Sequence, residues 1–117
     1  YAPEGVSEYV SIDIGLISPD NNATERSVAI GVKDTRAVYD YELTNRLIEY
    51  EKKAECDYSI EVYYNYSSDS NVVRRAGYDL QAALFGMPVL GSHGMERTHI
   101  TGLENTMNLL LAYTLDI

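Results

Sequence analysis

This chain has two histidines, and both fall in the stretch GSHGMERTH at residues 91–99. Imidazole is the commonest metal ligand and a proton-transfer group near neutral pH, and a carboxylate is its usual companion on zinc. His93 and His99 are six residues apart, so they do not share a helix face and only a loop could bring them together. A catalytic zinc needs about three protein ligands. The chain offers no HExxH, no CxxC and no histidine pair at one-turn helical spacing. Its better partner for an imidazole is a carboxylate elsewhere, Asp13, and the reason lies in the elements that carry the two.

Residues 9–16, YVSIDIGL, alternate, with Val10, Ile12 and Ile14 on one face and Tyr9, Ser11 and Asp13 on the other. That is a strand ending at Gly15. SPDNNATER (18–26) is a dense turn cluster, and SVAIGV (27–32) is a second strand with Val28, Ile30 and Val32 in register. A helix is expected from Tyr41 to Ala54, capped by Asp40, with Leu43, Leu47, Ile48 and Tyr50 or Ala54 on its apolar side. DYSIEVYYNY (57–66) alternates again, Ile60, Val62 and Tyr64 against Ser59, Glu61 and Tyr63. A short helix from Ser70 to Ala76 closes at Gly77, and LQAALFG (80–86) reads as a buried strand. After the histidine loop, Thr101-Gly102-Leu103-Glu104 forms a capping box, and Leu103, Met107, Leu110, Leu111 and Thr114 mark a helical stripe.

The order strand, strand, helix, strand, helix, strand, loop, helix predicts an α/β fold: a three-layer arrangement around a mixed, partly parallel sheet. Ligands of such sheets gather at the carboxyl ends of the strands. Asp13 ends the first strand and His93 follows the last, so the two are expected to converge.

Other chemistry is poorly supported. Ser92 or Ser68 could enter a Ser-His-Asp arrangement, but there is no GxSxG elbow, and Ser92 beside His93 cannot be positioned by it. Glu4/Glu8 and Asp57/Glu61 read as solvated faces, and Gly86, Gly91 and Gly94 as turn glycines rather than a phosphate loop. The eleven tyrosines have no basic residues interleaved and fit a half-buried sheet better than a stacking platform.

Composition bounds the partners. A 117-residue chain with 45% hydrophobic residues is long enough for one domain with a real core. A net charge of -9, with only nine Lys plus Arg, argues against nucleic acid and against an anionic membrane surface. Cys56 is alone and cannot form an internal disulfide, and no apolar run is long enough to span a bilayer. The expected location is the cytoplasm. Asn22-Ala-Thr24 and Asn65-Tyr-Ser67 match the glycosylation sequon by chance on that reading. The chain opens YAPEG, with neither Met nor a targeting pattern, as though cut from something longer.

Several runs together resemble a known family: VSIDIG, KDTRAVYDYELTNRLIEY, SSDSNVVRRAGYD and SHGMERTHITGLENTMNLLLAY. From about Val10 to Tyr113 they are similar in order and spacing to the C-terminal part of metallo-aminopeptidase family forty-two, the glutamyl and tetrahedral (TET) aminopeptidases. The resemblance implies a zinc-peptidase-like catalytic domain with two divalent metal ions, zinc or cobalt, and an inserted β-rich domain earlier in the chain. Five protein ligands hold the metals in that family. Asp13 in IDIG matches the fourth and His93 in SHGMERTH the fifth, each serving a different metal. The remaining ligands and the general-base Glu are expected upstream of Tyr1, so no catalytic residue is assigned within this chain. Residues 1–117 are then the C-terminal portion of the catalytic domain, inactive alone. Glu96, Arg97 and His99 are candidates for orienting His93 or lining the pocket. The implied partners are peptide substrates, with a glutamyl or aspartyl preference, and further copies in a homo-oligomer. Ser70-Asn71-Val72-Val73-Arg74-Arg75 and FGMPVLGSHG depart from the family's commoner forms, which puts substrate preference in question. The competing expectation is a non-catalytic α/β domain that uses the same fold for binding or assembly.

Overall fold

The computed structural model describes all 117 residues. Four strands form one sheet in the order β1-β4-β2-β3: β1 (Glu8–Leu16), β2 (Val28–Lys33), β3 (Tyr58–Val62) and β4 (Gln81–Val89). β1 runs parallel to β4 and β2 parallel to β3, while β2 and β4 are antiparallel. The sheet is therefore mixed, as the element order predicts. Helices α1 (Tyr41–Ala54) and α3 (Ile100–Leu115) cover one face, and α2 (Asp69–Arg75) packs on β4 and β1 from the other.

Successive β4 side chains alternate between two cores. Ala83 and Phe85 join Val28, Ile30, Leu43, Leu47 and Leu109 under α1 and α3. Ala82 and Leu84 join Tyr39, Tyr63 and Tyr66 on the α2 side. A strand buried on both faces reads as a continuous apolar run, which is why LQAALFG is legible as a strand. It continues three residues beyond Gly86, to Val89.

Helix α1 begins where expected, with the Asp40 carboxylate accepting from the Leu43 amide at 2.9 Å. Leu43 and Leu47 are fully buried, each worth about 1.5–3 kcal/mol of apolar burial. The inward face ends on Glu51 instead of Tyr50 or Ala54. Glu51 is 1% exposed, and its Oε2 has no hydrogen-bond partner. Burial alone pushes its pKa up to about 7. Because the folded value lies above the unfolded one, the Glu51 contribution to stability is fully present below about pH 4.5 and is lost as pH rises towards 7. Glu51→Gln is expected to flatten that slope and to raise stability at pH 8 by about 2–3 kcal/mol. Urea unfolding at pH 4.5 and pH 8 checks this; equal slopes for both proteins would reject it.

Two faces differ from the sequence expectation. On β3 the inward set is Ser59 and Glu61, while Ile60 and Val62 are exposed. The strand is an outer one, and the turn segment 18–26 closes over its other side, where the Glu61 carboxylate accepts from the Asn22 amide at 2.6 Å. The strand also stops at Val62 instead of running to Tyr66. On α3 the buried residues are Gly102, Thr106 and Leu109, whereas Leu103, Met107 and Leu111 are 41%, 51% and 45% exposed. Gly102 decides the orientation, because a Cβ there would lie 2.5 Å from the Glu25 carbonyl oxygen. The helix is capped by His99, whose Nδ1 accepts from the Thr101 amide at 3.0 Å, so the Thr101 capping box is not formed. At the opposite edge Ile12 in β1 is 49% exposed, because α2 packs on the other face of that strand and neither α1 nor α3 covers this one.

Candidate metal centre

β1 and β4 run side by side in parallel, so their carboxyl ends open on the same edge of the sheet. Asp13 sits opposite Gly86 in that pair. The absence of a side chain at Gly86 is what lets the two backbones meet, since a Cβ would fall 1.5 Å from the Asp13 carbonyl oxygen. The Asp13 Oδ1 accepts from the Ile14 amide at 2.7 Å, which leaves Oδ2 without a protein donor.

The loop after β4 presents His93. It is closed at its base by a two-way backbone bridge between Leu90 and Arg97, at 2.8 and 2.9 Å. Inside it the Gly94 amide donates to the Gly91 carbonyl at 2.9 Å, and His93 takes a left-handed conformation at φ 65°. Such a conformation costs a non-glycine residue about 1 kcal/mol and is retained where the surroundings over-determine it.

Asp13, His93 and Glu96 line one depression of about 490 Å³ together with Asn65-Tyr66-Ser67. The convergence of Asp13 with His93 is thus present, although 80 residues separate them in sequence. Arg97 does not line the depression; its backbone pins the loop. His99 does not line it either, because its ring is committed to capping α3. A carboxylate and a neutral imidazole are the donor chemistry of zinc-class ions, so the two residues fit such a metal as part of its shell. They do not complete one: nowhere do three His, Cys, Asp or Glu side chains gather to hold an ion.

Residues 2–109 match the model of the family described as M42 glutamyl aminopeptidase. The chain belongs to that family. It is 37% identical over 111 residues to YhfE of Bacillus subtilis (strain 168), whose name proposes an aminopeptidase; the match takes in 95% of this chain and 32% of YhfE. Among solved structures it is similar to the Pyrococcus horikoshii TET1 peptidase, which can assemble into a tetrahedron or a large octahedral shell. There the TM-score is 0.80 at 18% identity, over 92% of this chain and 32% of that one. The aminopeptidase APDkam598 from the archaeon Desulfurococcus kamchatkensis gives 0.79 at 15% identity, over 96% and 34%. The fold of the M42 chain is therefore shared with these peptidases, and the chain spans about a third of their length.

The Asn65-Tyr66-Ser67 part of the lining was not assigned from sequence. Tyr66 is 9% exposed, its ring packs on Tyr63 with centroids 4.9 Å apart, and its hydroxyl has no hydrogen-bond partner. Burial first, and then the charge of Asp13, push its phenol above the ordinary range. The backbone is fixed by Thr35, whose amide donates to the Tyr66 carbonyl at 2.9 Å and whose Oγ1 accepts from the Tyr66 amide at 3.0 Å. That segment hangs in turn on the buried Asp34, to which the Ser68 amide and the Tyr39 hydroxyl donate. The strand-end rule could not have found it: β3 runs antiparallel to β1 and β4, so its carboxyl end lies at the opposite edge of the sheet, and residues 65–67 reach the depression only because the chain turns back after Val62.

A second depression of about 530 Å³ shares the Asn65-Tyr66-Ser67 wall and adds Arg36 and Arg75. Arg75 is held against the turn by donating to the Arg36 carbonyl at 3.0 Å. Two guanidinium groups next to the Asp13/His93 site are notable in a chain of net charge -9.

Proposed function

We propose that this chain forms the C-terminal portion of the catalytic domain of a longer, metal-dependent aminopeptidase that removes N-terminal residues from peptides. The observation that carries the reading is the meeting of Asp13 and His93 in one depression. Each would hold one of two divalent ions, zinc or cobalt, and the other ligands and the general-base Glu would come from outside residues 1–117. When bound, the ion pair supplies Lewis-acid polarisation of the scissile carbonyl and a nucleophile at neutral pH. The chain's own contribution is to fix two ligands on rigid supports, a sheet strand and a loop bridged at its base. Glu96 adds a carboxylate to the wall that would attract a substrate α-ammonium. Arg36 and Arg75 supply the charge that would favour a glutamyl or aspartyl side chain beside the site.

Two ligands cannot close a shell, so the 117 residues by themselves would neither hydrolyse peptides nor hold metal tightly. The exposed stripe Leu103, Met107 and Leu111 is apolar surface that a longer chain or a further subunit would bury, in keeping with a homo-oligomer. A cytoplasmic location fits the lone cysteine, and no helix is long and apolar enough to cross a membrane.

The test uses the full-length protein containing this chain, with Asp13→Ala and His93→Gly. Each should lower kcat on a glutamyl p-nitroanilide by at least about 10³-fold and release one equivalent of metal. His93→Gly should also raise the stability of the metal-free protein by about 0.5–1 kcal/mol, since glycine adopts the left-handed conformation without strain. Unaltered activity in either variant would remove that residue from the shell.

A further inference from the structure

Tyr66 carries a group that the fold does not use. Its ring is nine-tenths buried and packed on Tyr63, a contact that a phenylalanine would make equally well. Its hydroxyl has no partner anywhere in the chain. A buried O–H without a partner is uncommon, because such a group gives up its bonds to water and regains nothing. When it lines a depression, the polar groups that share the lining are where its partner is to be sought. Asp13 and His93 line this same depression, and Asp13 is close enough for its charge to raise the Tyr66 phenol.

Of those two, the carboxylate is the acceptor. Asp13 uses Oδ1 on the Ile14 amide and receives nothing at Oδ2. Carboxylates that ligate metals are themselves held by hydrogen bonds, which fix their orientation and tune their basicity. A phenol, with an ordinary pKa near 10, is a donor at neutral pH. The Tyr66 backbone is anchored in both directions to Thr35, so the hydroxyl is presented from a fixed support. Ser67, on the same wall, also has an unpartnered Oγ, but it is less buried and its side chain is shorter.

We propose that Tyr66 is a positioning residue for Asp13: its hydroxyl donates to the Asp13 carboxylate and holds it in the orientation that metal ligation requires. The inference rests on the reading of Asp13 as a metal ligand. It adds a residue that no ligand motif would select, drawn from the segment after β3.

The experiment uses the full-length protein containing this chain, stripped of metal and titrated with Zn²⁺ against a competing chelator. Wild type, Tyr66→Phe, Ser67→Ala, Asp13→Ala and the Asp13→Ala/Tyr66→Phe double variant are compared. Tyr66→Phe should weaken one of the two zinc sites by about 10- to 100-fold, the range for loss of a hydrogen bond to a ligand. It should leave the melting temperature of the metal-free protein within about 2 °C of wild type. Ser67→Ala should stay within twofold of wild-type affinity. In the Asp13→Ala background the Tyr66→Phe change should have no further effect, because the group it acts through is gone. With Co²⁺ in place of Zn²⁺, Tyr66→Phe should shift the visible absorption of the bound metal. Zinc affinity within twofold of wild type for Tyr66→Phe overturns the proposal and leaves the metal site standing. A metal-free melting temperature that drops with the affinity assigns the hydroxyl to the fold and overturns it too. Wild-type affinity in Asp13→Ala is a different failure: Asp13 is then no ligand, and the functional reading falls with the inference.

Discussion

Replacing Asp34 with alanine is expected to cost about 3–5 kcal/mol of folding stability, the largest single loss available in this chain outside the cores. Its carboxylate is fully buried and accepts four hydrogen bonds. Oδ1 takes the Arg36 and Ala37 amides at 2.8 and 3.2 Å, and Oδ2 takes the Tyr39 hydroxyl and the Ser68 amide at 2.6 and 3.1 Å. The Tyr39 hydroxyl also meets the Ser68 Oγ at 2.6 Å, which meets the Ser70 Oγ at 2.8 Å, which donates to the Ala83 carbonyl at 3.0 Å. One carboxylate thus ties the turn after β2 to the start of α2 and to the central strand. Truncation would leave buried donors unpaired, each costing about 1–3 kcal/mol. Asp34→Asn keeps one acceptor oxygen and should lose about half as much.

The pH dependence gives the prediction a second edge. Burial opposes ionisation of Asp34, but the hydrogen bonds from the Tyr39 hydroxyl and the Arg36 and Ser68 amides outweigh it and hold its pKa below the usual value. A depressed carboxylate stabilises the fold at any pH above its unfolded value near 4 and loses that contribution as pH falls through the folded value. The gap between wild type and D34N should therefore be constant from pH 8 to about pH 5 and narrow below about pH 4. Glu51 titrates with the opposite sign, so the two variants separate cleanly. Urea midpoints with unchanged m-values are the measure, and a D34A loss under about 1 kcal/mol would contradict the assigned network.

How much of this was visible in the sequence depends on what decides each feature. Local signals decided the order of elements and the start of α1, where Asp40 and the periodicity of Leu43, Leu47 and Ile48 agree with packing. The face of α3 is decided otherwise. It is apolar on two sides, and the buried one holds its smallest residue, Gly102, because close approach to the Glu25 backbone matters more than hydrophobicity there. Counting apolar residues selects Leu103, Met107 and Leu111, which face outward. β3 inverts for a similar reason: the Asn22 turn supplies donors for Glu61 that alternation cannot reveal. Asp13 and His93 were legible because both follow from a rule about strand ends. Tyr66 was hidden by the continued alternation past Val62, and Asp34 by partners that arrive from residue 68, far along the chain.

Gly86→Ala tests whether the strand pair or the loop sets the geometry of the candidate centre. An added Cβ would sit 1.5 Å from the Asp13 carbonyl oxygen and 2.4 Å from its carbonyl carbon, and both are backbone atoms that no rotamer change can move. Gly86 also pairs with Ala29 across the antiparallel side, so β4 cannot retreat without disturbing β2. β1, an outer strand with no neighbour beyond it in this sheet, is the element free to move. The expected cost is about 3 kcal/mol, at or above the usual range for overpacking, because relief requires a backbone shift rather than a side-chain adjustment. That shift falls on Asp13 itself, so zinc affinity in the full-length protein should drop by about 10-fold or more even if the protein still folds. Gly94→Ala is the matched control: its Cβ would lie 3.4 Å from the Gly91 oxygen, an ordinary contact, and its stability should stay within about 1 kcal/mol of wild type. Hydrogen exchange at the Ile14 amide locates the damage. Faster exchange there in G86A, with α1 amides unchanged, places the strain in the β1–β4 pair. Wild-type stability and zinc affinity in G86A would mean that Asp13 does not depend on this close approach.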